Sequence, residues 1–307
     1  MSQTVNTNAR ATSDEPGLSG ARRDMRRPLV FMHIPKTAGC AYIAALMQAL
    51  QLENCVRGFD RYLFGNFRDF SSVDEAAQKT VFMSAESMPT DAAFIAGHMA
   101  FSTLRAAYPT GQYITLLREP VCRLLSQWLY WRQTSDEQLR PWGAWGDYVR
   151  LARGTLAGFL DAPQVAPHTD NILLRMLLWP HPLIAEDAFI DAAHDAELIE
   201  QAICQLDRFA YLDFVENPGL FEHTAAWLGA PLVPTVVNET SQMPASLRTP
   251  LSRELTPYAL DRLHSLSRLD SALWARVVKQ RSNCDDLSAL VEKARRSQLD
   301  RYAALVH

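Results

Sequence analysis

The chain has 307 residues, of which 48% are hydrophobic and 21% charged, an ordinary globular composition rather than a disordered or fibrous one. That length fits one large α/β domain, or one with an appended helical subdomain. The net charge of −4 provides no global positive field for nucleic acid or an anionic membrane surface, so an anionic ligand would need locally placed cations.

The five cysteines, Cys40, Cys55, Cys122, Cys204 and Cys284, are odd in number and contain no CxxC pair. This argues against a disulfide framework or a zinc knuckle and favours a reducing, cytoplasmic compartment. The opening residues contain no apolar signal segment. Apolar runs such as residues 171–179 are too short and too charged to cross a bilayer, so no membrane span is expected.

Residues 1–27 are rich in Ser, Thr, Asn, Gly and Arg without periodicity, the composition of a disordered tail. This leaves residues 28–307 as a single domain. An apolar run over residues 29–34 predicts a buried strand, ended by Pro35. Residues 36–39 predict a tight turn, and 40–52 carry the apolar spacing of a helix. A strand–loop–helix unit of this kind presents backbone N–H groups and a helix N-terminus to a phosphate. A second unit follows, with a strand over 93–96 leading into Gly97 and His98. A short helical stretch precedes another buried strand over 112–117. Arg118 and Glu119 then come before Pro120, well placed at the first turn of a helix running to about Gln133. Residues 141–146 read as loop, and 147–180 as mainly helical with a break at 163–167. An amphipathic helix is predicted over 186–206, a strand over 209–215 and a helix over 218–228. Residues 230–257 predict a long ordered loop, and 257–305 a helical tail. Strands alternating with helices predict an α/β fold with a mostly parallel sheet covered on both faces.

Three short segments carry the chemistry. In the first loop Lys36 is a cation, Thr37 offers a hydroxyl, and Gly39 lets the backbone approach an anion closely. A lone Lys-Thr turn is equally a surface lysine. The Gly-x4-Gly-Lys-Ser/Thr spacing of a Walker A loop is absent, which counts against an ATP or GTP enzyme. Arg118 sits at a strand end and Ser126 eight residues later, a little over two helical turns, so both can reach one anion. Alternatively, Arg118 pairs with a carboxylate and Ser126 faces a neighbouring helix. His98 follows a strand and a glycine, where side chains often project into a cleft.

In order and spacing, residues 34–39, Gly97-His98 and 117–126 resemble the sulfotransferases that use 3′-phosphoadenosine 5′-phosphosulfate (PAPS). The likeness runs from about residue 29 to 275 and is nearest to the carbohydrate branch of heparan sulfate and uronyl 2-O-sulfotransferases. It implies a P-loop-like three-layer α/β/α fold with helical additions. The implied activity is transfer of a sulfuryl group from PAPS to an acceptor hydroxyl, releasing 3′-phosphoadenosine 5′-phosphate (PAP), with no metal. By the same resemblance Lys36, Thr37, Ala38, Gly39, Cys40 and Ala41 hold the 5′-phosphosulfate, and Lys36 also stabilises charge on the bridging oxygen. Arg118 and Ser126 hold the 3′-phosphate, and His98 is the general base. Asn238, Thr240 and Ser241 belong to a late loop that closes over the cofactor. Residues 170–177 correspond to a helix near the acceptor cleft, and 209–216 to a strand ending in a glutamate.

The departures concern the acceptor more than the reaction. Cys40 and Ala41 stand where the family usually has hydroxyl residues, which leaves backbone N–H groups to contact the 5′-phosphate. Ala96 replaces a second histidine and His33 an arginine, so heparan sulfate itself is not the expected acceptor. A saccharide or glycosylated metabolite is expected, with a peptide tyrosine or a phenolic small molecule as the alternative. A P-loop kinase-like enzyme and a silent PAPS-binding scaffold are the readings from other classes. His33 points either into the core or toward the acceptor. Trp128 and Trp131 share a helical face and should pack inside, whereas Trp142 and Trp145, flanked by glycine and proline, are candidates for an acceptor lip.

Overall fold

The computed structural model describes residues 22–61, 63, 69–234, 243–282 and 286–306. Its strands are β1 (Leu29–Met32), β2 (Phe59–Asp60), β3 (Val81–Phe82), β4 (Phe94–Gly97), β5 (Gln112–Leu117) and β6 (Tyr211–Phe214). Four of them form a central sheet in the order β4-β1-β5-β6, with every neighbouring pair parallel. The short β2 and β3 make a separate parallel pair, tied to the main sheet by a bridge between Phe59 and His98.

The strands are near-continuous apolar runs because both faces of the sheet are covered, as in other parallel sheets. Leu29 and Phe31 of β1 pack with Tyr42 and Leu46 of the helix Gly39–Ala49 and with Trp227. Val30 and Met32 point the other way, into a cluster with Leu104, Met176, Leu198 and Trp274. The chain is thus α/β, mostly helical, with helices on both faces of a parallel sheet, in agreement with a three-layer α/β/α arrangement. Burying a side chain such as Phe31, which has no exposed surface, contributes roughly 1.5–3 kcal/mol.

A third cluster is mainly helical and joins Leu124 and Trp128 of the helix Pro120–Gln133 to Phe159, Leu263 and Tyr302. The final helix, Leu287–Val306, lies along Pro120–Gln133, with Tyr302 stacked on Trp128 at 5.9 Å between ring centroids. Among the described residues no helix is long and apolar enough to cross a membrane.

Residues 22–27, grouped above with the N-terminal tail, carry hydrogen bonds to the fold. Arg23 N–H donates to the Trp227 carbonyl (3.0 Å), and Asp24 N–H to Gln112 Oε1 (2.7 Å). The helix expected over 186–206 is shorter, Asp195–Leu206. The Asp191 carboxylate caps a 3₁₀ turn at Ala192–His194 by accepting from Ala193 N–H, and the chain before it is not helical. The helical tail resolves into Pro257–Leu266, Arg268–Arg281 and Leu287–Val306.

Candidate functional site

The candidate residues converge at the carboxyl ends of β4, β1 and β5. After β1 the chain turns through residues 33–38. Pro35 lacks an N–H for further pairing, and Thr37 Oγ1 donates to the Ile34 carbonyl at 2.9 Å. Thr37 is fully buried, so its hydroxyl, expected to face an anion, closes the turn instead. Lys36 (φ 69°) and Ala38 (φ 59°) both adopt left-handed backbone conformations, which cost a non-glycine residue about 1–2 kcal/mol each. The helix Gly39–Ala49 follows with no side-chain cap and no acidic residue in its first turn. Its first N–H groups, those of Gly39, Cys40 and Ala41, have no partner within the helix and carry partial positive charge.

Gly39 has a structural reason beyond access for a ligand. A Cβ at this position would lie 2.0 Å from His33 Nε2 and 2.1 Å from His33 Cδ2. The His33 ring fills the space that a side chain would need. That ring is nearly buried and stacks on Phe31 at 5.4 Å, which places His33 on the core side of the loop.

Three cations gather behind the loop. Lys36 Nζ lies 3.9 Å from the centroid of the Tyr130 ring, whose residue is 54% exposed. Burial, helped by the nearby Arg118, lowers the Lys36 ammonium to about 8. Arg118 Nη1 donates to the Lys36 carbonyl (3.0 Å) and Nη2 to Gln298 Oε1 (2.6 Å). Among the described residues it forms no ion pair with a carboxylate. The neighbouring Glu119 instead accepts from Cys122 N–H (2.7 Å) as a helix cap and pairs with Arg295 (2.9 Å). Glu216, just beyond β6, accepts from Glu119 N–H (3.0 Å), and burial raises its carboxyl above the usual range.

Arg123 is the residue that the motif reading left without a role. It is 3% exposed and donates from Nη2 to the His168 carbonyl at 3.3 Å. Its Nε and Nη1 have no partner among the described residues, and burial lowers its guanidinium to about 10. Donors without partners on a buried cation are costly; the charge of the Asp270 carboxylate offsets part of that cost, and a further anion would offset more. Ser126 is half-buried and stands one turn before Tyr130, on the helix face that meets Lys36. The only local signal for Arg123 was its position within the same motif as Arg118 and Ser126.

On the other side of the loop, His98 Nδ1 lies 2.6 Å from the His33 carbonyl oxygen. A carbonyl only accepts, so Nδ1 carries the hydrogen and Nε2 the lone pair. Burial lowers the imidazole to about 4, so the ring is neutral at pH 7. It packs 4.4 Å from His33 and 5.5 Å from Phe59. Phe59 meets Trp142 edge-on at 5.5 Å, and Trp142 lies 5.4 Å from Trp145. Trp142 and Trp145 are half-buried, while Trp128 and Trp131 are core residues, at 0% and 4% exposure. His168, not singled out from sequence, packs against Trp131 at 4.8 Å and is held near 3, chiefly by burial and then by His98.

Asn238, Thr240 and Ser241 lie outside the described residues. Cys40 is exposed and not in a disulfide. The arrangement places an uncapped helix start, three cations and a neutral imidazole around one loop, a constellation suited to an anion with a reacting group beside it. No protein-family model matches the chain, and no curated protein matches it.

Proposed function

We propose that the chain is a PAPS-dependent O-sulfotransferase of P-loop-like architecture. The observation that carries this reading is the joint placement of Lys36, Arg118 and Arg123, with two donors of Arg123 without partners, beside a neutral His98 whose Nε2 bears the lone pair. The residues fit the cofactor, because its two anionic ends require two sets of donors. Lys36 and the first N–H groups of the helix Gly39–Ala49 hold the 5′-phosphosulfate. Arg118 and Ser126 hold the 3′-phosphate, with Arg123 behind them.

PAPS supplies the sulfuryl group. His98 Nε2 accepts the proton of the acceptor hydroxyl as that oxygen bonds to sulfur. The His33 carbonyl holds the ring in the required tautomer through Nδ1. Lys36 stabilises the charge left on the phosphate oxygen when the sulfur–oxygen bond to it breaks. The half-buried rings of Phe59, Trp142 and Trp145 beside His98 support a ring-bearing acceptor, a saccharide or glycosylated metabolite in the first instance. The free thiols of Cys40, Cys55, Cys122 and Cys204 fit a reducing, cytoplasmic setting.

The test is a calorimetric titration with PAP beside ADP, without added metal. Selective binding of PAP supports a built 3′-phosphate site. Equal binding, or binding only with Mg²⁺, sinks the proposal in favour of a kinase-like enzyme.

A further inference from the structure

The last helix brings a side chain of the protein itself onto the residue assigned to the 3′-phosphate. Gln298 is 5% exposed, and its Oε1 accepts from Arg118 Nη2 at 2.6 Å. Arg118 Nη1 is engaged at the same time by the Lys36 carbonyl. Both outer nitrogens of this guanidinium, the pair that would grip a phosphate in a bidentate fashion, therefore donate to neutral oxygens. We propose that Gln298 is a built-in competitor of the 3′-phosphate: it occupies Arg118 when no nucleotide is bound, and it sets the affinity of the site for a 3′-phosphorylated nucleotide. This rests on the sulfotransferase reading of the site.

The helix that carries Gln298 is anchored on both sides of it. Arg295, one turn before it, pairs with Glu119, and Tyr302, one turn after it, stacks on Trp128 and donates to the Thr249 carbonyl (3.0 Å). These three positions form one stripe along the helix, which holds Gln298 against Arg118. The space behind the contact is closed as well. The cavity that Arg118 and Arg123 line with Thr37 and Asp270 holds only about 10 Å³, about the volume of one water probe sphere. A space of that size does not hold a phosphate.

Arg295 is 35% exposed along its side chain but its partner Glu119 only 2%, and Tyr302 is fully buried, so the drive to move the helix has to come from the ligand. A dianionic phosphate is a stronger partner for a guanidinium than a neutral amide oxygen is. Nucleotide binding therefore exchanges one Arg118 partner for a better one and loosens the final helix.

The experiment compares wild type, Gln298→Ala and Gln298→Glu as full chains, by calorimetric titration with PAP and with ADP. Gln298→Ala is expected to tighten PAP about tenfold, the worth of one charge-assisted hydrogen bond, and to leave ADP unchanged. Gln298→Glu, which offers Arg118 a charged partner, is expected to weaken PAP by tenfold or more. Hydrogen exchange on wild type supplies a readout that does not depend on the variants folding: PAP should speed exchange across residues 287–306. If wild type binds PAP but Gln298→Ala binds it more weakly, or gains equally for PAP and ADP, the competitor role is overturned while the sulfotransferase reading stands. Slower exchange across residues 287–306 on adding PAP overturns it in the same way. If neither wild type nor Gln298→Ala binds PAP, both fail together.

Discussion

Gly39→Ala tests whether the first loop is built around the His33 ring. An alanine Cβ would fall 2.0, 2.1 and 2.7 Å from three atoms of that ring, all well inside van der Waals contact. The ring has no easy retreat, because Phe31 stacks on one side at 5.4 Å and His98 lies 4.4 Å away. Phe31 is itself completely buried. Either His33 is driven off its rotamer or the loop lifts, and overpacking of this kind costs about 1–3 kcal/mol. Loss of glycine flexibility in the unfolded chain offsets at most about 1 kcal/mol. Gly39 is not in the left-handed region, so its backbone adds no further penalty. The net expectation is a loss of about 1–2 kcal/mol, a fall of a few degrees in Tm, together with at least tenfold weaker PAP binding as the loop is displaced. Thermal unfolding and calorimetry on the single variant measure both effects. The decisive measurement is Gly39→Ala in a His33→Ala background, where the clash is gone and the penalty should disappear, giving a coupling of about 1–2 kcal/mol. A Gly39→Ala protein as stable as wild type, or a cost that simply adds to that of His33→Ala, would refute the packing argument.

Lys36, lowered to about 8, must be charged to hold an anion. The Kd for PAP should therefore be flat below about pH 7.5 and rise up to tenfold per pH unit above 8. Lys36→Met should abolish that dependence, and a dependence that survives it assigns the titration elsewhere. For His98→Ala, turnover should fall by roughly 10²–10⁴-fold, the usual worth of a general base, with PAP affinity nearly unchanged; wild-type turnover would remove the base assignment. Arg118→Ala should weaken PAP by a few kcal/mol through loss of charge-assisted contacts, and an unchanged Kd would show that the 3′-phosphate lies elsewhere. Arg123→Met removes two donors without partners but also the charge that favours the buried Asp270 carboxylate, so it should cost only modest thermal stability while lowering PAP affinity. A large loss of stability would instead make Arg123 a structural residue.

The parts of the fold legible in the sequence are those with a local cause. The strands over 29–34, 93–96, 112–117 and 209–215 were readable because a parallel sheet covered on both faces turns its strands into apolar runs. The helix starting at Pro120 was readable because proline suits a first turn. The pair β2 and β3 escaped because two residues carry no period, and the helix at Asp195–Leu206 was overextended because its apolar spacing continues upstream of the Asp191 cap. The same division holds at the site. Lys36, His98 and Arg118 follow the ends of three adjacent strands, so sequence and topology alone bring them together. Gln298 lies 180 residues from Arg118, and His168 reaches the neighbourhood of His98 through helix packing. Such contacts depend on how helices dock, which no short-range pattern encodes.

The electrostatics around the first loop set a direction for the proposed anion. Burial acts on both kinds of group, lowering Lys36 to about 8 and Arg123 to about 10 and His98 to about 4. The cations also disfavour one another: Arg118 acts on Lys36 and on Arg123, and Lys36 on His98. A bound phosphate reverses each of these pair terms, because a negative charge within a few ångströms favours the protonated form of every base around it. Binding should therefore take up protons, and His98 should become a stronger base in the complex than in the free protein. This is the direction that catalysis needs, since a neutral imidazole titrating near 4 has little drive to accept a hydroxyl proton until an anion lies beside it. Following the His98 ring by NMR through a pH titration, with and without PAP, measures that change directly. An upward move of its pKa on binding is the expected result, and a downward move would separate His98 from the anion site altogether.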